Sequence, residues 1–404
     1  MESTNVLDGR RLAVVVIGAG QAGLSAAYYL AARGLRPWTD FVVLDANDGP
    51  GGAWRHRWDS LTLGRVHGIH KLPGMDLEGP DRDAPANRTV PRYYGDYESR
   101  FGLPILRPVT VTGVAADGDG FAVTTDDGPV AAASVVNATG TWDSPYRPHY
   151  PGAERFAGRQ LHTREYRDAE QFRGQRVLVV GAGTSALQFI QELDARGADT
   201  VWAARRPPQW TSRAFDRDWG LNVERAVSAR TREGLAPLSV SAVTGIPLTD
   251  LYVPDIRRGL LAWRGRIERF GAHTVILDGP GPDGVSLPGQ GEAQKIIDRS
   301  MVRALPGRAV GSTASQADRR WEVPIDAVLW ATGFRAHLRH LSPLQIREPG
   351  GGILMADDGV SAVRMPGLFL AGYGASASTL GATRAGRKAA MGALRSVPES
   401  APAG

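Results

Sequence analysis

Apolar positions along this chain gather into short unbroken runs, several of them followed by a stretch in which they recur every three to four residues. An unbroken apolar run reads as a strand buried on both faces, and the wider spacing as a helix laid against it. Leu12 to Ile17 is the first such run, and Val177 to Val180 is its counterpart in the middle of the chain. The helical stretch after each ends alike, at Ala32-Arg33-Gly34 and Ala195-Arg196-Gly197, where the glycine suits a left-handed C-cap. Phe41 to Leu44 and Thr200 to Ala204 read as the next strand of each half. Residues 109–114 and 121–125, parted by Asp117-Gly118-Asp119-Gly120, read as a β-hairpin, and Asp126-Asp127-Gly128 turns the chain into further strand. Two later strands end in the same small-residue turn, Ala138-Thr139-Gly140 and Ala331-Thr332-Gly333. The last strand, 367–374, leads into a helix predicted over 382–394.

This alternation predicts an α/β protein of two Rossmann-like nucleotide-binding domains, each a doubly wound three-layer unit, the second inserted into the first. The expected boundaries are 1–150 with 330–404 for the first domain and 151–329 for the second. A helical insertion is expected at about 207–300, a stretch rich in Trp, Arg, Pro and Gly that either covers a substrate entrance or extends the core.

Between each leading strand and its helix lies a glycine-rich loop, Gly18-Ala19-Gly20-Gln21-Ala22-Gly23 and Gly181-Ala182-Gly183-Thr184-Ser185-Ala186. The first glycine makes the tight turn, the second lets backbone approach a pyrophosphate, and the third small residue lets helix pack on strand. The helix N-terminus then offers unpaired N–H groups to the anion. The two loops and their C-cap glycines are related by a constant offset of 163 positions. Asp45 closes the second strand, 22 residues after Gly23. A carboxylate there accepts from ribose hydroxyls and repels a 2′-phosphate, so the first loop suits FAD or NAD. The equivalent strand of the second half ends in Arg205-Arg206, whose guanidinium groups match the 2′-phosphate of NADPH, although both could also be merely solvated. Two dinucleotides in one chain imply electrons passed between them.

Length, 404 residues, fits two domains, and composition is ordinary for globular protein. The net charge of +5 comes from dispersed arginines with only Lys71, Lys295 and Lys388 beside them, so no nucleic-acid partner is expected. No run reaches membrane-spanning length, and a cytoplasmic enzyme is expected. There is no cysteine, which removes disulfides, thiolate metal sites and any redox dithiol, and so excludes a flavoprotein disulfide reductase. His67 and His70 lie too isolated to form a metal site, and none is expected.

After Asp45 the chain runs through Asp48-Gly49-Pro50-Gly51-Gly52 into Ala53-Trp54, glycines that permit close backbone approach and an aromatic that can cover a ring. Residues 156–166, with Phe156, Gly158, His162 and Tyr166, fit the pattern FxGxxxHxxxY. With both loops, Gly-Gly-Ala-Trp at 51–54 and the second Ala-Thr-Gly turn, the chain resembles the flavin-containing monooxygenases over essentially its whole length. The sister Baeyer–Villiger enzymes end the fingerprint in Trp-Pro, whereas this chain has Tyr166-Arg167. The closing Gly372-Tyr373-Gly374 also lacks the Gly-Asp that many related flavoproteins use to hold the ribityl chain.

The resemblance implies that Gly18, Gly20, Gln21, Ala22 and Gly23 hold the FAD pyrophosphate, Asp45 its ribose, Ala53 and Trp54 the flavin side, and Val111 the adenine by backbone. It places Gly181, Gly183, Thr184 and Ser185 on the NADPH pyrophosphate and Arg205 with Arg206 on its 2′-phosphate. Gly140, Gly333, Gly374 and Thr379 complete the expected cofactor contacts. No catalytic residue is assigned; His162 and Trp54 stand as pocket or gating residues. The expected reaction is N- or S-oxygenation of a small organic substrate by O2 through a C4a-hydroperoxyflavin, without membrane or nucleic acid, and a homodimer is compatible with it. A Baeyer–Villiger enzyme, an uncoupled NADPH oxidase and a nucleotide-sensing flavoprotein remain as alternatives.

Overall fold

The computed structural model describes residues 9–66, 69–77, 79, 81–208, 210–211, 227–237, 246–248, 251–281, 320–376 and 379–396. The chain divides into two compact units. The first comprises Met1–Ser144, Leu221–Leu238 and Arg335–Gly404, and the second Pro145–Gly220 and Ser239–Phe334.

In the first unit β1 (Arg11–Ile17) runs parallel between β2 (Phe41–Leu44) and β6 (Gly128–Asn137). β3 (Ile105–Leu106) lies outside β2, and the last strand, β16 (Leu368–Leu370), runs parallel to the end of β6. β4 (Val111–Asp117) and β5 (Gly120–Thr125) continue antiparallel from β6 as the expected hairpin. Val14 and Val16 enter one buried cluster while Leu12, Val15 and Ile17 enter another, so β1 is covered on both faces. That explains its unbroken apolar run. Helix α1 (Gln21–Ala32) packs closely on the terminal helix α5 (Thr379–Ser396), where a Cβ at Gly386 would stand 2.2 Å from the Ala22 carbonyl oxygen. Helix α2 (Ala86–Arg100) buries Val90, Tyr93, Tyr94 and Tyr97 in the same layer.

The second unit repeats the scheme. β8 (Arg176–Val180) runs parallel between β9 (Asp199–Ala203) and β15 (Ala327–Trp330), with β7 (Arg159–His162) beyond β15 and helix α3 (Thr184–Ala195) after β8. β12 (Trp263–Phe270) joins β9, and β13 (Thr274–Asp278) and β14 (Arg320–Pro324) extend the sheet antiparallel. A short parallel pair, β10 (Trp210–Thr211) with β11 (Ile246–Pro247), and one turn of helix, α4 (Val253–Arg257), complete the described part.

Two expectations need correction. The contacts divide at Ser144/Pro145 and Phe334/Arg335, not at 150/151 and 329/330. Pro145 bridges Phe334, and the Tyr146 N–H bonds the Gly333 carbonyl at 3.0 Å, so the chain entering the second unit is tied to the chain leaving it. The described residues of 207–300 are also not purely helical. β12 and β13 lie within that stretch, burying Ile267, Phe270, Val275 and Leu277, while 227–237 belongs to the first unit. In β12 arginines crowd between the buried positions and the register shifts between Ile267 and Arg269, which obscures the period-two pattern. Residues 209, 212–226, 238–245, 249–250 and 282–300 of that stretch, and His67, lie outside the described residues.

Candidate cofactor sites

In the first unit the glycine loop is built around three close approaches. A Cβ on Gly18, which has φ +96°, would lie 2.7 Å from the Ala138 carbonyl oxygen, and one on Gly23 would lie 1.8 Å from the carbonyl oxygen of Gly18. A Cβ on Gly52 would meet the Gly20 Cα at 3.0 Å, so the Gly51-Gly52 turn sits beside the loop. Gly20 itself has open space where its Cβ would be, as does Gly140. Gly20 is the N-cap of α1 and no side chain caps that helix, so its first-turn N–H groups face outward unpaired. The open side of Gly20 and this uncapped terminus fit a pyrophosphate.

Asp45 is buried beyond β2, where its Oδ2 accepts from Arg107 Nε at 2.7 Å and its Oδ1 from Asn47 at 3.0 Å. Arg107 also pairs with both Glu98 oxygens at 2.7 Å, and these carboxylates hold the guanidinium more firmly protonated than usual despite its burial. A carboxylate offers about four lone-pair directions, so Asp45 can still accept from ribose. Sequence reasoning missed Arg107 because its partners lie just after β2 and on α2. Val111 opens β4 opposite Thr125; the backbone reaching Asp45 is that of Val109, whose N–H bonds the Asp45 carbonyl at 2.9 Å.

Gln21 lies at the centre of a polar network behind the loop. Its amide donates to Thr383 Oγ1 at 2.9 Å and to the His70 carbonyl at 3.0 Å, and it accepts from the Tyr94 hydroxyl at 3.3 Å. Trp54, in the 3-10 turn Gly52–His56, packs against the buried cluster that includes Tyr94. Ala22 is buried within α1 and Ala53 half-buried before Trp54. At Gly374 a Cβ would meet Thr231 at 3.1 Å. Thr379 is the first residue of α5.

The second unit reproduces the loop. Gly181 has φ +155°, and a Cβ on it would lie 2.2 Å from the Ala331 carbonyl oxygen. Gly183 is the N-cap of α3, again without a side-chain cap, with Thr184 and Ser185 in its first turn and Ala186 fully buried. The indole of Trp202 donates to the Gly181 carbonyl at 2.7 Å, locking the turn from β9. Arg205 and Arg206 are exposed just after β9, with no acid partner among the described residues. Together these groups fit a dinucleotide bearing a 2′-phosphate.

The four fingerprint residues all prove to be framework of this unit. Phe156 is in its core, and a Cβ on Gly158 would stand 2.3 Å from the Asp326 carbonyl oxygen. His162 is 1% exposed, its Nε2 donating to the Gly333 carbonyl at 2.9 Å while Nδ1 accepts from the Arg164 N–H at 3.1 Å. That is a neutral imidazole, and burial lowers its pKa further from the ordinary value. Tyr166 is buried and donates to Glu192 on α3 at 2.8 Å. Through these bonds His162 clamps the Ala-Thr-Gly turn.

Among the described residues no group of three or more His, Asp or Glu could hold a metal, and no helix is long and apolar enough to cross a membrane.

Two glycine-loop nucleotide folds in one chain, one with an acid and one with a guanidinium pair after its second strand, define an oxidoreductase of the two-dinucleotide class. Residues 15–244 match the pyridine nucleotide-disulphide oxidoreductase family. A flavin-containing monooxygenase from Stenotrophomonas maltophilia is 31% identical, with a TM-score of 0.72 over 95% of this chain and 98% of that one. The rice indole-3-pyruvate monooxygenase YUCCA1 is 29% identical over 89% of this chain and 86% of its own length. The CzcO-like oxidoreductase of Geobacillus kaustophilus is 38% identical over 45% of this chain, and the match spans only 51% of that relative. The chain belongs to the flavin-containing monooxygenases within the pyridine nucleotide-disulphide oxidoreductase family. The dithiol chemistry in the larger family's name needs cysteine, and this chain has none.

Proposed function

We propose that this chain is an FAD-dependent monooxygenase that consumes NADPH and O2 and places one oxygen atom on a nucleophilic nitrogen or sulfur of a small organic substrate. The observation that carries the reading is the repeated glycine cradle with opposite chemistry at the end of each second strand, buried Asp45 in one and exposed Arg205-Arg206 in the other. Bound flavin, reduced by the nicotinamide, supplies the oxygen-activating chemistry. The chain's own groups bind and orient: the α1 and α3 termini take the pyrophosphates, Asp45 the ribose, Arg205 and Arg206 the 2′-phosphate. Buried side chains behind Gln21 keep the loop and Trp54 fixed, which favours exclusion of water from the flavin side.

A second reading, oxygenation of a 2-oxo acid, is favoured by the likeness to an indole-3-pyruvate monooxygenase over 89% of the chain. Both readings are tested by incubating the flavin-loaded protein with NADPH, oxygen and panels of amines, sulfides, ketones and 2-oxo acids, while NADPH loss, peroxide and product are measured. Product matching NADPH consumed supports a monooxygenase, and the panel that yields it selects between the readings. All peroxide and no product with every panel overturns both.

A further inference from the structure

The turn that follows the first cofactor loop holds an arginine without a counter-charge. Arg57 stands just after the 3-10 turn Gly52–His56, in extended backbone, with its guanidinium carbon 4.3 Å from the ring centre of Trp142 and 5.8 Å from that of Trp54. Its Nε is buried and has no hydrogen-bond partner. No carboxylate pairs with it among the described residues, whereas the neighbouring Arg55 has Asp48 and the half-buried Arg107 has both Asp45 and Glu98. Crowding by protein pushes its pKa down to about 10, with no acid acting to raise it.

Two indole faces attract a cation only modestly. Enclosing a charge costs more than that unless it is paired. The deficit is the mark of a group whose partner arrives from outside. Arg57 as a whole is only half-buried, so its outer nitrogens can be reached. Trp54 is also half-buried, and Trp142 is 5% exposed. A guanidinium fork matches a carboxylate with two parallel hydrogen bonds, and indole faces beside it suit a flat, apolar body.

We propose that Arg57 is the anion-recognition residue of a binding site for a flat organic carboxylate, which lies against Trp54 with its carboxylate on the guanidinium. This deepens the functional reading above by naming the substrate class, and it rests on that reading only for the reaction, not for the binding.

The test uses the flavin-loaded full chain and two probes of one shape, indole-3-acetate and the uncharged indole-3-acetamide, titrated by calorimetry. The expected result is about tenfold tighter binding of the acid, lost in Arg57→Gln and retained in part in Arg57→Lys. Failure of both probes to bind at millimolar concentration, equal affinity for the two, or an unchanged preference in Arg57→Gln overturns the proposal. The ratio of flavin to protein absorbance is measured on each variant. Loss of FAD from Arg57→Gln with retention in Arg57→Lys assigns the arginine to the cofactor's own anion and also overturns it. Because binding is read by heat and not by turnover, an absence of oxygenated product refutes the proposed function while leaving the acid preference to stand or fall separately.

Discussion

Acid should loosen the first unit through one buried imidazole. His340 is 4% exposed, and its Nε2 donates to Asn137 Oδ1 at 2.7 Å. The Asn137 amide reaches Thr139 Oγ1 at 3.2 Å, and the Thr139 hydroxyl bonds the His337 carbonyl at 2.6 Å. This chain of bonds lies under the Ala138-Thr139-Gly140 turn, whose first carbonyl faces Gly18. Burial, and secondarily the neighbouring His337, hold the His340 pKa down to about 4. In the unfolded chain a histidine titrates near 6.5. Between the two values the unfolded chain takes a proton that the folded one refuses, so the stability is whole above about pH 6.5 and is lost as pH falls toward 4. The gap amounts to about 3 kcal/mol, of which about 2 kcal/mol is gone by pH 5. Urea unfolding followed by circular dichroism at pH 8 and pH 5 checks this on the native chain and on His340→Gln, which keeps an amide donor and does not titrate. Other groups titrate in both proteins and cancel. The stability advantage of the native chain should shrink by about 2 kcal/mol between pH 8 and pH 5. A difference that stays constant with pH would refute the reasoning.

Arg205→Ala should raise the KM for NADPH by about ten- to a hundredfold and leave that for NADH nearly unchanged, since a charged hydrogen bond contributes about 1.5–3 kcal/mol; equal effects on both would remove the 2′-phosphate assignment. Gly18→Val should yield protein with little FAD, because its Cβ would sit 2.7 Å from the Ala138 carbonyl oxygen at φ +96°, and normal flavin absorbance would show the first site misassigned. Gly181→Ala, with a clash at 2.2 Å from Ala331, should keep its flavin colour yet lose reduction by NADPH, as followed by anaerobic bleaching. Tyr166→Phe removes the bond to Glu192 and should lower unfolding stability by about 1 kcal/mol with kcat unchanged; a large fall in kcat would return the fingerprint tyrosine to the reaction.

What could be read in advance was local. Gly18, Gly20 and Gly23 announce their roles by spacing, and the runs at Leu12 to Ile17 and Val177 to Val180 mark strands covered on both faces. Asp45 was legible because the distance from loop to acid is set by one helix and one turn. Arg107 was not, since it meets Asp45 across 62 positions and Glu98 from a helix. The 207–300 stretch misled for a related reason. In β12 the alternation is spoiled by arginines and a register shift, and its assignment as a strand depends on pairing with β9 and β13. Arg57 offered no signal beyond its place after Gly-Gly-Ala-Trp, because an arginine lacking a partner looks like any other until its surroundings are known.

The Ala-Thr-Gly turns show how the same local solution is fixed twice by different means. Each turn puts an alanine carbonyl over the first glycine of its loop, at a distance where only glycine fits, so Ala138 constrains Gly18 as Ala331 constrains Gly181. Glycine at the head of each loop is therefore demanded by the turn that faces it. What holds each turn down differs. In the first unit it is the buried line of His340, Asn137 and Thr139, and in the second it is His162 on the Gly333 carbonyl with Trp202 on that of Gly181. Burial lowers the pKa of both histidines, so the folded protein holds each ring neutral with its Nε2–H donated to the turn or its support. Protonating either ring costs the desolvation that burial imposes, so acid disfavours the folded state through residues beneath the turns that shape the cofactor cradles.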